Sequence, residues 1–260
     1  MTSSTVTLER RDLIAIVRLN RPQKLNALLG GMLDELGAIF RLLENDCSVR
    51  AVILTGTGDR AFSAGTDIEE LVNIDVATAE SVSRRGQAVC DQIARFNVPV
   101  IAAVEGIAAG GGFELVLACH MRFASIAATF SLPETKIGMI RAYGGTQRLA
   151  RVLGTGRAFE MTLSGKTISA EDGYRMGLIN RVTQSANLLP ETDAVAKEIS
   201  KQAPLAIRAC LEAVTKGIEL PLEDGLALEA KLFSSLFATD DVREGTRAFL
   251  EKREPVFKGQ

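Results

Sequence analysis

Val104-Glu105-Gly106-Ile107-Ala108-Ala109-Gly110-Gly111-Gly112-Phe113-Glu114, running on into Leu115-Val116-Leu117-Ala118, is the stretch that decides the fold. An apolar strand, 100–104, enters a glycine cluster, and the cluster opens an apolar helix predicted over 112–119. Three consecutive glycines strip the turn of side chains, so backbone N–H groups are open to close approach by a ligand. A helix N-terminus adds unpaired donors and the positive end of a dipole, which suits an oxyanion or a phosphate. Glu114 lies two residues past the last glycine, a carboxylate inside an apolar run, where ionised acids need a partner or a task. Taken alone, the stretch fits equally well a simple close packing of helix on strand, with Glu114 as an acid favoured by the helix dipole.

Working outward, strands alternate with helices. The residues 5–10 and 13–19 alternate apolar and polar and predict a hairpin turning at Arg11-Asp12. An amphipathic helix follows over 28–43, with Met32, Leu33, Leu36, Ile39, Phe40 and Leu43 on one face. A buried strand is predicted at 49–54, a short helix from Glu69, a mobile loop at 72–78 and a long helix over 79–96. Beyond the glycine turn come a strand at 121–124, an extended piece at 130–134, helices at 146–153, 156–163 and 170–176, and a strand at 179–182. Helices then fill 195–201, 206–216 and 222–249. This order predicts an α/β fold of βαβ type with a largely parallel sheet, a core over 1–200 and a helical region over 201–260.

The composition narrows the function classes. With 260 residues, 47% hydrophobic and 24% charged, the chain has the make-up of a soluble globular protein. A net charge of −2 gives no reason to expect nucleic acid or an anionic membrane as partner. No apolar run approaches the ~20 residues of a membrane helix, and the first dozen residues lack the core of a secretory signal. Cys47, Cys90, Cys119 and Cys210 form no C-x-x-C pair, so reduced thiols in a cytoplasmic setting are expected, with no metal site. His120 is the only histidine, and its place after Cys119 at the end of an apolar helix favours a structural role.

Two further loops carry candidate chemistry. Ala61-Phe62-Ser63-Ala64-Gly65-Thr66-Asp67 follows a buried strand and precedes a short helix, with Asp67 placed as its N-cap. Two such loops presenting N–H groups toward one oxygen make an oxyanion hole. Ser131-Leu132-Pro133-Glu134-Thr135-Lys136 supplies a second carboxylate, Glu134, which either shares acid–base work with Glu114 or simply pairs with Lys136. The Gly56-Thr57-Gly58 cluster lacks the helix that a dinucleotide-binding turn requires.

The segments VILTGTGDRAFSAGTDIEEL (52–71), VEGIAAGGGFELVLAC (104–119), SLPETKIGMIRAYGGTQRLARVLG (131–154) and SAEDGYRMGLINRV (169–182) resemble the enoyl-CoA hydratase/isomerase (crotonase) superfamily in order and spacing. The resemblance implies a crotonase-like spiral of ββα units. Its C-terminal helical region is a trimerisation region, giving homotrimers often paired into homohexamers. It also implies an acyl-CoA thioester substrate, so that coenzyme A enters as part of the substrate and no separate cofactor is called for. Thr66 and Gly111 fall where the family uses two backbone N–H groups to hold the thioester carbonyl oxygen. Glu114 and Glu134 fall on the two carboxylates of hydratases, the first acting as base toward water and the second giving a proton to Cα. Lys24, Leu25, Ala64, Asp67 and Ile68 fall in the adenine-binding region, and Phe249 and Lys252 resemble C-terminal residues that reach a neighbouring subunit's coenzyme A. Possession of both glutamates implies an enoyl-CoA hydratase. An enoyl-CoA isomerase, or another acyl-CoA hydrolase of the same fold acting on a cyclic or polar acyl group, is the alternative.

One loop departs from the pattern. Common hydratases read Pro-Gly-Ala-Gly-Gly where this chain has Arg141-Ala142-Tyr143-Gly144-Gly145. By resemblance the loop lines the acyl pocket near Cβ. Either Arg141 or Tyr143 narrows or polarises that pocket, so that the acyl group is short, cyclic or polar rather than a long chain, or both side chains point outward.

Overall fold

The computed structural model describes residues 4–260. The chain opens with an antiparallel hairpin of β1 (Val6–Arg11) and β2 (Ile14–Leu19), paired from Val6 with Leu19 to Arg11 with Ile14. Asp12 takes a left-handed conformation at the turn, which short polar side chains tolerate. Helix α1 (Gly30–Glu44) buries Met32, Leu33, Leu36, Phe40 and Leu43 on the expected face. Then come β3 (Ala51–Gly56), β4 (Ala61–Ser63), α2 (Ile68–Leu71) and α3 (Val76–Ala94). The next unit is β5 (Val100–Val104), β6 (Ile107–Ala109) and α4 (Gly111–Ala118), and every residue of α4 is buried. A third is β7 (Met121–Ser125), β8 (Thr129–Ser131), a 3-10 turn (Glu134–Ile137) and α5 (Gly145–Leu153). The chain continues through α6 (Thr155–Ser164), β9 (Thr167–Ser169), α7 (Ala170–Met176), β10 (Arg181–Thr183) and α8 (Leu188–Ser200). It ends in α9 (Pro204–Gly217), α10 (Leu222–Leu236) and α11 (Asp240–Glu251).

Two sheets result. The larger has the order β1-β2-β3-β5-β7-β10 and the smaller β4-β6-β8-β9. Each of the pairs β3/β4, β5/β6 and β7/β8 gives its first strand to the larger sheet and its second to the smaller. This repeated ββα unit is the architecture the sequence led us to expect. Alternation along the central strands of the larger sheet serves two cores at once. Val52, Leu54, Val100, Ala102 and Val104 face α1, α3 and α4, whereas Ile53, Ile101 and Ala103 pack against Leu188 and Ala196 of α8.

Several boundaries differ from the sequence reading. The loop expected at 72–78 is shorter because Asp75 and Thr78 form a capping box that starts α3 at Val76. The glycine turn contains the strand β6, paired with β4 and β8. The extended piece ends at Ser131 and a 3-10 turn carries Glu134. The single long helix expected over 222–249 is two, since Thr239 caps the N-terminus of α11. His120 has the structural role expected of it: its Nδ1 accepts the Val100 N–H at 2.9 Å, and burial pulls its pKa down to about 4. All four cysteines are free. No described helix is long and apolar enough to cross a membrane.

Candidate active site

The smaller sheet brings the two donor loops together. Strand β4 pairs in parallel with β6, Ala61 opposite Ile107 and Ser63 opposite Ala108, so the residues after both strands leave the sheet side by side. Gly65 has φ +97°, and a Cβ there would lie 2.9 Å from the Ala109 carbonyl oxygen. Glycine is therefore required on both conformational and spatial grounds. Gly112 is equally confined, since a Cβ would sit 2.6 Å from Ser63. Thr66 directly follows Gly65, and Gly111 directly precedes Gly112. Among the described residues, neither the Thr66 N–H nor the Gly111 N–H donates to a protein acceptor. Gly111 is the first residue of α4, where orphan donors are inherent.

Glu114 stands on the first turn of α4, 2% exposed. Its Oε1 accepts the Tyr143 N–H at 2.9 Å and the Gly145 N–H at 2.6 Å. Burial pushes its pKa up to about 7, helped by the charge of Glu134 and opposed by those two N–H groups. A carboxyl group poised near neutrality is suited to take or give a proton. Glu134 faces the same turn, for a Cβ at Gly110 would come within 2.9 Å of its Oε1. Burial raises its pKa too, with Arg141 acting against the rise.

Arg141 and Tyr143 both point inward. The Arg141 Nε lies 3.2 Å from Glu134 Oε2, with side-chain exposure of only 2%. Its Nη2 donates to the Leu132 carbonyl. Glu134 therefore pairs with Arg141, not with Lys136. The two Glu134 oxygens are differentiated, Oε2 toward the guanidinium and Oε1 toward the glycine turn. Tyr143 is 3% exposed, and its hydroxyl is hydrogen-bonded to Thr66 Oγ1 at 3.0 Å. Ala142 is held by its carbonyl, which accepts from Ser83 Oγ at 2.6 Å.

The remaining sequence-predicted residues divide into two groups. Lys24, Leu25, Ala64, Asp67 and Ile68 come together on one rim of the site. The Ala64 N–H donates to the Leu25 carbonyl at 2.9 Å, and Leu28 exchanges backbone bonds with Gly65 and Asp67. Asp67 caps α2 through the Glu69 N–H and pairs with Arg21 at 3.1 Å, so both its oxygens are engaged within the loop. Lys24 reaches Glu69 at 3.3 Å, and Ile68 is exposed. Phe249 and Lys252 lie at the end of α11, Phe249 fully in the open, and neither lines the cavity beside Thr66. That cavity measures about 420 Å³; Leu29, Leu33, Ile74 and Tyr143 line it together with the charged Arg21, Glu70 and Arg85, whereas Glu114, Glu134 and Gly111 do not.

Four supports went unforeseen: the Tyr143 and Gly145 N–H groups under Glu114, Arg21 behind Asp67, and Gly86. The last carried a readable signal, because glycine inside a helix costs roughly 0.5–1 kcal/mol relative to alanine and calls for a spatial reason. A Cβ at Gly86 would fall inside the Tyr143 ring, 1.9 Å from its nearest atom.

The fold is shared with known proteins. The sequence profile of the enoyl-CoA hydratase/isomerase family matches residues 9–260. A short-chain-enoyl-CoA hydratase of Clostridium acetobutylicum is 36% identical, covering 98% of this chain and 97% of its own length. A crotonyl-CoA hydratase of Syntrophomonas wolfei is 37% identical over 99% of both chains. The crystal structure of an enoyl-CoA hydratase from Bacillus anthracis superposes with a TM-score of 0.96 at 35% identity, covering 98% of this chain and all of that one. The chain belongs to the enoyl-CoA hydratase/isomerase family and has the fold of its hydratases.

Proposed function

We propose that the protein is an enoyl-CoA hydratase, adding water across the α,β double bond of an enoyl-CoA thioester. The observation that carries this reading is the placement of two inward carboxylates, the buried Glu114 and the half-buried Glu134, facing one glycine turn beside two uncommitted backbone donors. As water adds at Cβ, negative charge moves to the thioester oxygen. The N–H groups of Thr66 and Gly111 stabilise it there, and such a donor contributes about 3–4 kcal/mol in comparable sites. Glu114 takes a proton from the attacking water, and Glu134 delivers one to Cα. The hydroxyl ends on Cβ, a hydrogen on Cα, and the pair of acids returns to its starting charge. The pKa of about 7 at Glu114 leaves a large fraction ionised at neutral pH for this task.

Lys24, Leu25, Ala64, Asp67 and Ile68 form the rim on which the adenine end of coenzyme A rests in this reading. The exposed Phe249 and Lys252 serve the coenzyme A of an adjoining subunit in a trimer or hexamer. The test is the loss of enoyl-thioester absorbance on adding the protein to crotonyl-CoA. Wild type consumes the band, whereas Glu114→Gln and Glu134→Gln do not. A wild-type protein that leaves the band intact while shifting a 3-enoyl-CoA to the 2-enoyl isomer would overturn the reading in favour of the isomerase.

A further inference from the structure

Tyr143 links the donor loop, the first carboxylate and α5. Its hydroxyl meets Thr66 Oγ1, its N–H donates to Glu114 Oε1, and its carbonyl accepts from Arg148 Nη1 at 3.0 Å. Its ring is wedged between two glycines on different helices, and at neither is there room for another atom. A Cβ at Gly86 of α3 would lie 1.9 Å from the ring, and one at Gly111 of α4 would lie 2.7 Å from it. The ring thus fills the space between α3 and the N-terminus of α4, at the point where the carboxylates and the donors meet. With its hydroxyl, its N–H and two opposite sides of its ring engaged, it cannot swing aside without breaking several contacts at once. It is also a wall of the cavity of about 420 Å³ beside Thr66, a volume toward the small end of the roughly 300–1,000 Å³ of small-ligand sites.

Resting on the acyl-CoA reading above, we infer that Tyr143 is the specificity-determining residue that closes the acyl chamber a few carbons beyond the thioester, so that the site takes short acyl groups and rejects medium and long straight chains. The mid-helix Gly86 is the independent counterpart of this device. It is the gap on α3 into which the ring fits, and it keeps the ring seated across the path of a chain running on from Cβ.

The experiment is calorimetric titration with saturated acyl-CoA thioesters, which bind without turning over: butyryl-, hexanoyl-, octanoyl- and decanoyl-CoA. Wild type, Tyr143→Ala and Tyr143→Phe are compared. A pocket that rejects excess bulk discriminates by about ten-fold or more, so wild type is expected to bind decanoyl-CoA at least about ten-fold more weakly than butyryl-CoA. Tyr143→Ala is expected to abolish or invert that ranking, since each methylene newly buried strengthens binding about four-fold. Tyr143→Phe keeps the ring and the wild-type ranking, which separates ring volume from the hydrogen bond to Thr66. Tyr143→Leu, which removes the ring but keeps an apolar side chain in its place, carries the same expectation as Tyr143→Ala and keeps the test decisive should the alanine variant not fold. Affinity in wild type that is flat or rises with chain length overturns the inference, as does an unchanged ranking in Tyr143→Ala. Failure of wild type to bind any of the thioesters overturns the acyl-CoA reading as well, and is distinguished from the former by that complete loss.

Discussion

Glu114 and Glu134 face one glycine turn, but the chain holds them by opposite means. Glu114 sits on a helix in which every residue is buried, and its oxygen is held by the N–H groups of Tyr143 and Gly145. Glu134 sits on a 3-10 turn and is held by a full positive charge, the Arg141 guanidinium at 3.2 Å. The two N–H groups favour the ionised carboxylate, but burial outweighs them and holds the pKa high. A guanidinium favours the ionised state and fixes which oxygen is free. In the proposed reaction the two identical side chains therefore differ in their freedom to hold a proton, a division that sequence spacing alone could not assign.

The strongest way to break the comparison is to neutralise each acid in turn. Glu114→Gln and Glu134→Gln should each lower the hydration of crotonyl-CoA by about 10²–10⁴-fold, the usual worth of a positioned acid or base. The double variant should lose little more than the worse single one, because groups that act as a unit are not additive. Initial rates with the three variants decide it. A loss in the double variant equal to the product of the single losses would mean that the two acids act in separate steps.

Much of this arrangement was legible in the chain. The apolar run 100–104, the triple glycine and the isolated Glu114 pointed to a strand, a donor turn and a buried acid, and the structure has all three. Helix α1 could be read from the spacing of Met32, Leu33, Leu36, Phe40 and Leu43. What escaped depended on partners that spacing does not rank. Arg141 is only a few residues from Glu134, yet Lys136 was an equally good partner until the 3-10 turn fixed the direction of the carboxylate. The strand β6 was hidden because Ile107-Ala108-Ala109 is too short to show a period, and only β4 and β8 on either side make it a strand. The start of α3 turned on the Asp75–Thr78 box, a local signal outweighed in the sequence by the lack of an apolar pattern over 72–78.

The next effect is on stability and separates the two acids by pH. The folded-state pKa of Glu114, about 7, lies above its ordinary value of 4.5. Its favourable contribution is thus complete below about pH 4.5 and is lost as pH rises through about 7, where a buried charge must be accommodated. Glu114→Gln avoids that charge while a side-chain oxygen can still accept the two N–H groups. Relative to wild type it should gain on the order of 3 kcal/mol above about pH 8 and almost nothing near pH 4, because each tenfold change in proton affinity on folding is worth about 1.4 kcal/mol. Glu134→Gln should not show this gain, since it leaves the buried Arg141 without its counter-charge. Urea unfolding midpoints across that range measure both. Equal behaviour of the two variants would erase the distinction between dipole and charge support.

The smallest effect isolates the guanidinium. Arg141→Met removes the charge and the bond to the Leu132 carbonyl while filling similar space. Glu134 Oε2 is then free to turn, and the proton on Glu134 is held more tightly, because the cation that opposed it is gone. Both consequences fall on kcat. We expect a loss of about ten-fold, near 1.4 kcal/mol in the barrier, with KM for crotonyl-CoA little changed, because Arg141 is assigned no contact with coenzyme A. The groups facing Glu134 are Arg141 on its own loop and Glu114 on α4, so the direction of the pH effect follows from their charges. With Glu134 as the proton donor, the alkaline limb of the rate profile moves to higher pH in Arg141→Met and stays near the wild-type position in Arg141→Lys. A purely structural role for Arg141 would lower the melting temperature of the methionine variant without moving that limb. An unmoved limb would mean that the contrast between the two glutamates comes from burial alone.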